Sequence, residues 1–286
     1  MSIAIHALAP GVWYTDPVQA GDRPALGLAA GTRGAVLIDG GNSPAHVAPL
    51  LAFARERGLT LQAVCLTHWH WDHCFGAVST ALPVIACEQT AAKLDWMRTL
   101  SWDDDALAAR VAAGTEMDFC RENIQIEYPT QPRSIQVPTA ARTFAGEDTI
   151  NLGGLTVRLM QVESDHSPDC CVALLPEAGV AFLGDCLYLN MDHEPWYCTP
   201  ARTRALMERL LALDAQWYVP AHHGLYTRAE FAQYAARMTA TANAAEGAPD
   251  LLTAAQRFKT QTGAEPNEDE QTLLTEFLAA RAYEYE

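Results

Sequence analysis

The segment Thr67-His68-Trp69-His70-Trp71-Asp72-His73 sets three imidazoles and one carboxylate within six consecutive positions, 68–73. Imidazole nitrogen and carboxylate oxygen are the donors that suit Zn²⁺ and other borderline first-row metals. A single histidine is as a rule a packed or solvated side chain; three with an aspartate at this density point to a metal. In a tight loop His68 and His70 can turn to one side while Asp72 and His73 face another. That spacing suits two adjacent half-sites better than one closed cage. Further ligand types stand alone at the ends of apolar runs: His166 after LMQV, Asp185 closing VAFLGD, and His222 after WYVPA. Strand ends are where an α/β fold gathers its ligands.

The elements that must position these side chains can be read from the pattern. VWYTD (12–16), ALGLAA (25–30) and GAVLIDGG (34–41) are short apolar runs bounded by turn residues, and read as strands. Ser43-Pro44 starts a helix, Gly58 lies past its end, and Val47, Leu50, Leu51 and Ala54 form its apolar stripe. LQAVCLT (61–67) is a buried strand that runs straight into His68. Strand–helix–strand order predicts an α/β protein.

The stretch from about 88 to 128 is helical in pattern, with Ser101 and Asp104 as a capping box and Gly114 as a stop. Its Trp96, Met97, Trp102, Met117 and Phe119 either pack it onto the body or wall a pocket. Strand signals return at 149–162, 170–176 and 180–185, and Thr199-Pro200 opens a helix carrying Leu206, Leu210, Leu211 and Leu213. QWYVPA is a last strand, and Thr227 with Glu230 caps a helix through about 242. The tail is helical with a break at Thr262-Gly263 and Pro266. The expectation is one domain over 1–286, with a lid insertion at about 88–128 and a helical extension at about 245–286.

Composition narrows the partners. Of 286 residues 49% are hydrophobic, which excludes wholesale disorder. Lys plus Arg is 19 against 35 Asp plus Glu, a formal charge of −16, so neither nucleic acid nor an anionic membrane is an expected partner. No run approaches the roughly 18 apolar residues of a membrane span, and the start lacks the basic and apolar regions of a signal peptide. The eight cysteines form no CxxC pair and read as reduced thiols in a cytoplasmic protein.

At this point the chain resembles a metallo-β-lactamase-fold hydrolase. Its HxHxDH signature is His68, His70, Asp72 and His73; LIDGG supplies Asp39, DHSPD supplies His166, LGDCLY supplies Asp185 and PAHHG supplies His222. These motifs run in order over residues 10 to about 240. The resemblance implies a four-layered αββα sandwich with a dinuclear metal centre at one edge of its sheets. One metal would take His68, His70 and His166, the other Asp72, His73 and His222, with Asp185 bridging them. Asp39 would orient the ligand loop. Two Zn²⁺ are the expected ions, with Fe or Mn as alternatives. A metal-bridging hydroxide would attack a small ester, thioester or lactone, and Asp72 and Tyr188 would be the catalytic side chains.

Departures from the family pattern narrow it further. β-Lactamases of this fold carry Cys or Ser where Asp185 stands, flavodiiron proteins carry Glu at the position of His70, and the charge disfavours the tRNA-processing ribonucleases. Glyoxalase II, acyl-homoserine lactonases and persulfide dioxygenases remain. Tyr188 stands three residues after Asp185, as a phenol does in the lactonases, and is expected to hydrogen-bond the substrate carbonyl or leaving oxygen. His223 should point away from His222 and support it. Trp69 and Trp71 divide between core and pocket wall. Cys74 and Cys186 face away in the family pattern, and the 191–198 segment with His193, Glu194 and Trp196 could reach the site mouth. A mononuclear iron persulfide dioxygenase and a non-enzymatic metal-binding protein are the competing readings. Substrate choice is open: Lys93, Arg98, Arg110 or Arg121 could hold a carboxylate, and the lid or the C-terminal helices could supply a homodimer surface.

Overall fold

The structure, a computed structural model, describes residues 3–191 and 195–283. Among these residues the strands form two sheets, of seven and six strands. The first holds β1 (Ile5–Ala9), β2 (Val12–Thr15), β3 (Gly27–Gly31), β4 (Gly34–Ile38), β5 (Leu61–Cys65), β6 (Val84–Cys87) and β7 (Ala140–Phe144), neighbours in that order. The second runs in reverse order from β13 (Tyr226–Thr227) through β12 (Trp217–Pro220), β11 (Val180–Gly184), β10 (Cys171–Leu175) and β9 (Thr156–Gln161) to β8 (Glu147–Asn151). The run expected at 149–162 is thus a hairpin, β8–β9, turning at Gly153 and Gly154. Pairing is parallel for β4–β5, β5–β6, β6–β7 and β11–β12.

Parallel neighbours need crossovers, and helices supply them. α1 (Pro44–Glu56) links β4 to β5, with the Ser43 hydroxyl accepting from the His46 N–H at 3.2 Å as its cap. α6 (Pro200–Leu211) links β11 to β12. Its first turn is held by Asp165, which accepts from the Thr199 N–H at 2.7 Å, while the Thr199 side chain itself caps nothing. Leu206 and Leu210 of α6 are buried as expected, but Leu211 turns outward.

Alternation along the central strands buries both of their faces. In β4, Val36 and Ile38 point into the core between the sheets, where Phe182, Val157 and Leu175 of the second sheet meet them. Ala35 and Leu37 point the other way, against Val47, Leu50 and Ala54 of α1. On the far side Val172 and Leu174 of β10 pack under Leu206 and Leu210 of α6 and Phe231 of α7 (Arg228–Ala245). Two sheets face to face, each covered by helices, make the αββα sandwich.

Between β6 and β7 lie α3 (Glu88–Met97), α4 (Asp104–Ala112) and α5 (Asp118–Glu127), the expected helical insertion. Leu94, Met97, Leu107 and Ile124 anchor them to the outer face of the first sheet. The cap of α4 is Asp103, accepting from the Ala106 N–H at 2.8 Å, and not the Ser101–Asp104 box; the Ser101 hydroxyl donates to Asp103 instead. The Thr227–Glu230 box on α7 forms as expected. α8 (Leu251–Thr262) ends at a left-handed Gly263, and α9 (Glu268–Ala279) starts at a cap on Asn267. Among the described residues no helix is long and apolar enough to cross a membrane.

Candidate metal centre

The C-terminal ends of β4, β5, β9, β11 and β12 open onto one edge of the sandwich. Three backbone bonds stitch the loops there: Cys171 N–H to Thr67 O at 2.7 Å, Gly40 N–H to His73 O at 2.8 Å, and Ala25 N–H to Ala221 O at 2.7 Å. β5 delivers the histidine loop, whose last residues form the short helix α2 (Trp71–Cys74). β11 delivers Asp185 through Gly184, which has φ 52° and whose missing Cβ would come within 2.7 Å of the Thr67 side chain. Only glycine meets both demands.

Two groups of donors converge at this edge, His68, His70, His166 and Asp185, and Asp72, His73, Asp185 and His222, with the ligand atoms of each within 4.8 Å of one another. His70 Nδ1 and His166 Nε2 are 2.9 Å apart, and Asp185 Oδ2 stands 3.4 Å from His166 Nε2 and 3.7 Å from His68 Nε2. Asp72 Oδ2 is 3.2 Å from both His73 Nε2 and His222 Nε2. Asp185 reaches the same pair, Oδ1 to His73 at 3.3 Å and Oδ2 to His222 at 3.5 Å.

Four donors bonded to zinc at ~2.0–2.1 Å stand roughly 3.3 Å from each other around a tetrahedron. The observed separations bracket that edge. Moreover His68 Nε2, Asp72 Oδ2, His73 Nε2 and Asp185 Oδ1 are buried with no hydrogen-bond partner among the described residues. Buried polar atoms without partners are costly, and a cation between them removes the cost. The residues therefore fit a pair of divalent ions, with nitrogen and oxygen donors that suit Zn, Fe or Mn.

The outer nitrogens of the rings fix which atom faces inward. His73 Nδ1 lies 2.8 Å from Asp39 Oδ2, His166 Nδ1 3.2 Å from Leu189 O, and His222 Nδ1 3.3 Å from Asp22 Oδ1. Asp39 itself accepts from the Thr67 N–H and hydroxyl, each at 2.8 Å, and sits at φ 62°. Burial, then the neighbouring imidazoles, hold His68 well below the usual histidine range and His70 at about 3, in the neutral donor form. Burial pulls His222 down too, but Asp185 and Asp72 outweigh it and raise it to about 10. The attraction that holds a proton there is equally available to a metal cation.

Asp22, on the loop before β3, carried no signal in the sequence: a lone aspartate after Gly21 is an ordinary turn. Its contact with His222 exists only because the loop ends at Ala25, bonded to Ala221. Burial, followed by Asp72, pushes its carboxyl up to about 7.

Tyr188 and His223 meet beside the cluster. The Tyr188 hydroxyl accepts from the His222 N–H at 3.0 Å and lies 2.8 Å from His223 Nδ1. His223 thus supports the phenol and stays outside the ligand groups. Cys74 directs its thiol to the Trp69 carbonyl at 3.4 Å, and Cys186 is buried; neither belongs to the donor groups.

A cavity of about 460 Å³ opens onto the cluster and is lined by His70, Asp72, His166, Asp185, Tyr188 and His222 at its floor. Its walls are aromatic and sulfur-bearing, among them Trp69, Trp96, Met117 and Phe119. Trp69 stacks edge-on against the His70 ring at 4.6 Å, while Trp71 packs on Phe75 in the core as well as lining the cavity. Trp96 and Phe119 are 45% and 48% exposed at the rim, an unusual place for rings with no apolar ligand to meet. His193 and Glu194 lie outside the described residues.

The sequence profile of the metallo-beta-lactamase superfamily matches residues 26–222, more than half of the chain. No curated protein gives a significant match. Among solved structures, a metallo-beta-lactamase from Pontibacter korlensis is 18% identical, covering 82% of this chain and 98% of its own, with a TM-score of 0.56. A metallo-beta-lactamase family protein from Thermus thermophilus is 17% identical over 97% and 95% of the two chains, with a TM-score of 0.59. A stereoselective inverting sec-alkylsulfatase from Pseudomonas sp. is 13% identical over 98% of this chain and 50% of its own, with a TM-score of 0.68. At such identities the likeness is one of fold. Taken with the profile match and the donor cluster, it makes the chain a member of the metallo-beta-lactamase superfamily.

Proposed function

We propose that the protein is a dinuclear, zinc-dependent hydrolase of a small ester, thioester or lactone with an apolar body. The observation that carries this reading is the pair of donor groups sharing Asp185 at the floor of an aromatic cavity. His68, His70 and His166 would hold one ion and Asp72, His73 and His222 the other, with Asp185 common to both donor groups. Bound there, the metals supply Lewis acidity that activates water and stabilises the oxygen gaining charge. The aromatic walls hold the acyl or leaving group and keep bulk water away from the reacting bond. Asp72 would act through the ion it helps to hold.

Tyr188 stands where its hydroxyl can reach a substrate oxygen, but it accepts from His222 and shares a hydrogen bond with His223. It donates to substrate only when the proton between Tyr188 and His223 sits on Nδ1. Replacing Tyr188 by Phe should therefore lower kcat about tenfold, less than the ~10²–10³ lost with a dedicated oxyanion donor. A change within twofold removes the phenol from the reaction.

The test of the whole reading is elemental analysis of protein purified without added metal or chelator, followed by esters, thioesters and lactones as substrates. Two zinc ions per chain with hydrolysis of one of these classes is the expected result. One iron per chain, no zinc and oxygen uptake with persulfides would replace it by sulfur oxidation. A doubly loaded protein that cleaves none of the three classes would leave only metal binding.

A further inference from the structure

Four basic residues of the helical insertion compete for an anionic substrate, and their surroundings separate them. Arg98 bonds Asp95 at 3.0 Å and lines a different depression, away from the donor cluster. Arg110 lies over the Trp102 ring at 4.9 Å, donates to Ser101 O at 2.7 Å and faces Glu116 at 3.6 Å. Arg121 pairs with Asp118 at 2.6 Å. Each of these three charges is already answered by a carboxylate.

Lys93 is different. It is one of two lysines in the chain and the one Lys or Arg among the described residues lining the cavity above the donor cluster. No carboxylate among the described residues pairs with it. Its ammonium stands 4.9 Å from the Trp69 ring centre and 5.6 Å from that of Trp96. Two aromatic faces hold a cation in place without neutralising it, so the charge stays available to a ligand. The Trp69 ring that carries it also touches the ring of His70. The cation and the donor cluster are thus separated by one indole, and an apolar chain laid along that indole spans the two.

We propose that Lys93 anchors the carboxylate of an amphiphilic, anionic substrate whose apolar body lies against Trp69, Trp96, Met117 and Phe119 while its scissile ester faces the metal cluster. This rests on the hydrolase reading and adds to it a substrate class: monoesters or lactones that carry a carboxylate at the end remote from the reacting bond. In a chain of charge −16 a free carboxylate is repelled almost everywhere, so a lone cation at the rim also selects the orientation of entry.

The experiment compares two pairs of probes on the metal-loaded protein. For turnover they are mono-para-nitrophenyl adipate and para-nitrophenyl hexanoate, equal in acyl length and differing in the terminal carboxylate. For binding they are hydrocinnamate and hydrocinnamamide, followed by quenching of the Trp69 and Trp96 fluorescence. In Lys93→Met the preference for adipate over hexanoate in kcat/KM, and for hydrocinnamate over its amide in Kd, should each fall about tenfold, as for loss of one charged hydrogen bond. Lys93→Arg should restore both preferences, and Arg98→Met should leave both at the wild-type value. Preferences that survive in Lys93→Met, or a wild type that binds the amide as well as the acid, overturn the proposal. If neither ester is cleaved, and thioesters and lactones are not cleaved either, the hydrolase reading fails, and the two dissociation constants still decide the role of Lys93.

Discussion

Asp185→Asn should leave the protein with at most one tightly held metal and lower kcat/KM roughly a thousandfold, as for a buried charge pair broken on one side. The side chain is buried, and its two oxygens face four imidazole nitrogens drawn from both donor groups. Asparagine keeps the shape but turns one of those oxygens into an N–H donor. That donor must then meet an imidazole lone pair, which removes a ligand atom from the cluster as well as a negative charge. With the carboxylate gone, the negative charge that draws a cation in among these imidazoles is reduced, and metal binding weakens. Elemental analysis and kcat/KM measured together check this, with a thermal melt to establish that the variant folds. Two ions per chain and activity within tenfold of wild type would show that Asp185 does not join the two halves of the centre.

The sequence yields the site more readily than the way it is assembled. His68, His70, Asp72 and His73 announce themselves because four donors crowd one loop. His166, Asp185 and His222 are legible as strand ends, yet nothing local says that His166 lies 2.9 Å from His70 across 96 positions of chain. Asp22 stayed hidden for the same reason, and so did the choice of Lys93 over its three arginine neighbours. That choice depends on where Asp95, Glu116 and Asp118 fall once the helices have packed.

The fold divides in a similar way. β4 is unmistakable because Ala35, Val36, Leu37 and Ile38 are all apolar and serve two buried faces. β6 is four residues, VIAC, with no alternation and no glycine to bound it, and β7 carries three exposed residues in five. Neither has a local signal; β6 is a strand because β5 offers an open edge, and β7 because β6 then offers the next. Helix starts were legible where one capping residue stands alone, as at Ser43 and Thr227. They slipped at α4, where Ser101, Asp103 and Asp104 crowd together and geometry selects Asp103.

Asp39 allows charge and conformation to be separated in one experiment. Its carboxylate receives three donors, the Thr67 N–H and hydroxyl and the His73 ring, each at 2.8 Å. Its backbone, at φ 62°, is left-handed, a conformation that Asn tolerates and Ala resists. Asp39→Asn should therefore keep the loop but lose the charge that fixes the proton on His73 Nδ1. The ring is then free to turn its other nitrogen, and metal affinity should fall ~10–100-fold, as when an outer partner of a metal ligand is lost. Asp39→Ala should bind metal no better and, in addition, lose stability in the metal-free state, by about 1–3 kcal/mol for each donor left buried without an acceptor. Competition with a chelator gives the affinities, and thermal melts of the metal-free proteins give the stability. If Asp39→Asn holds zinc within twofold of wild type, the orientation of His73 is set by its packing against Thr67, and the carboxylate serves the loop alone.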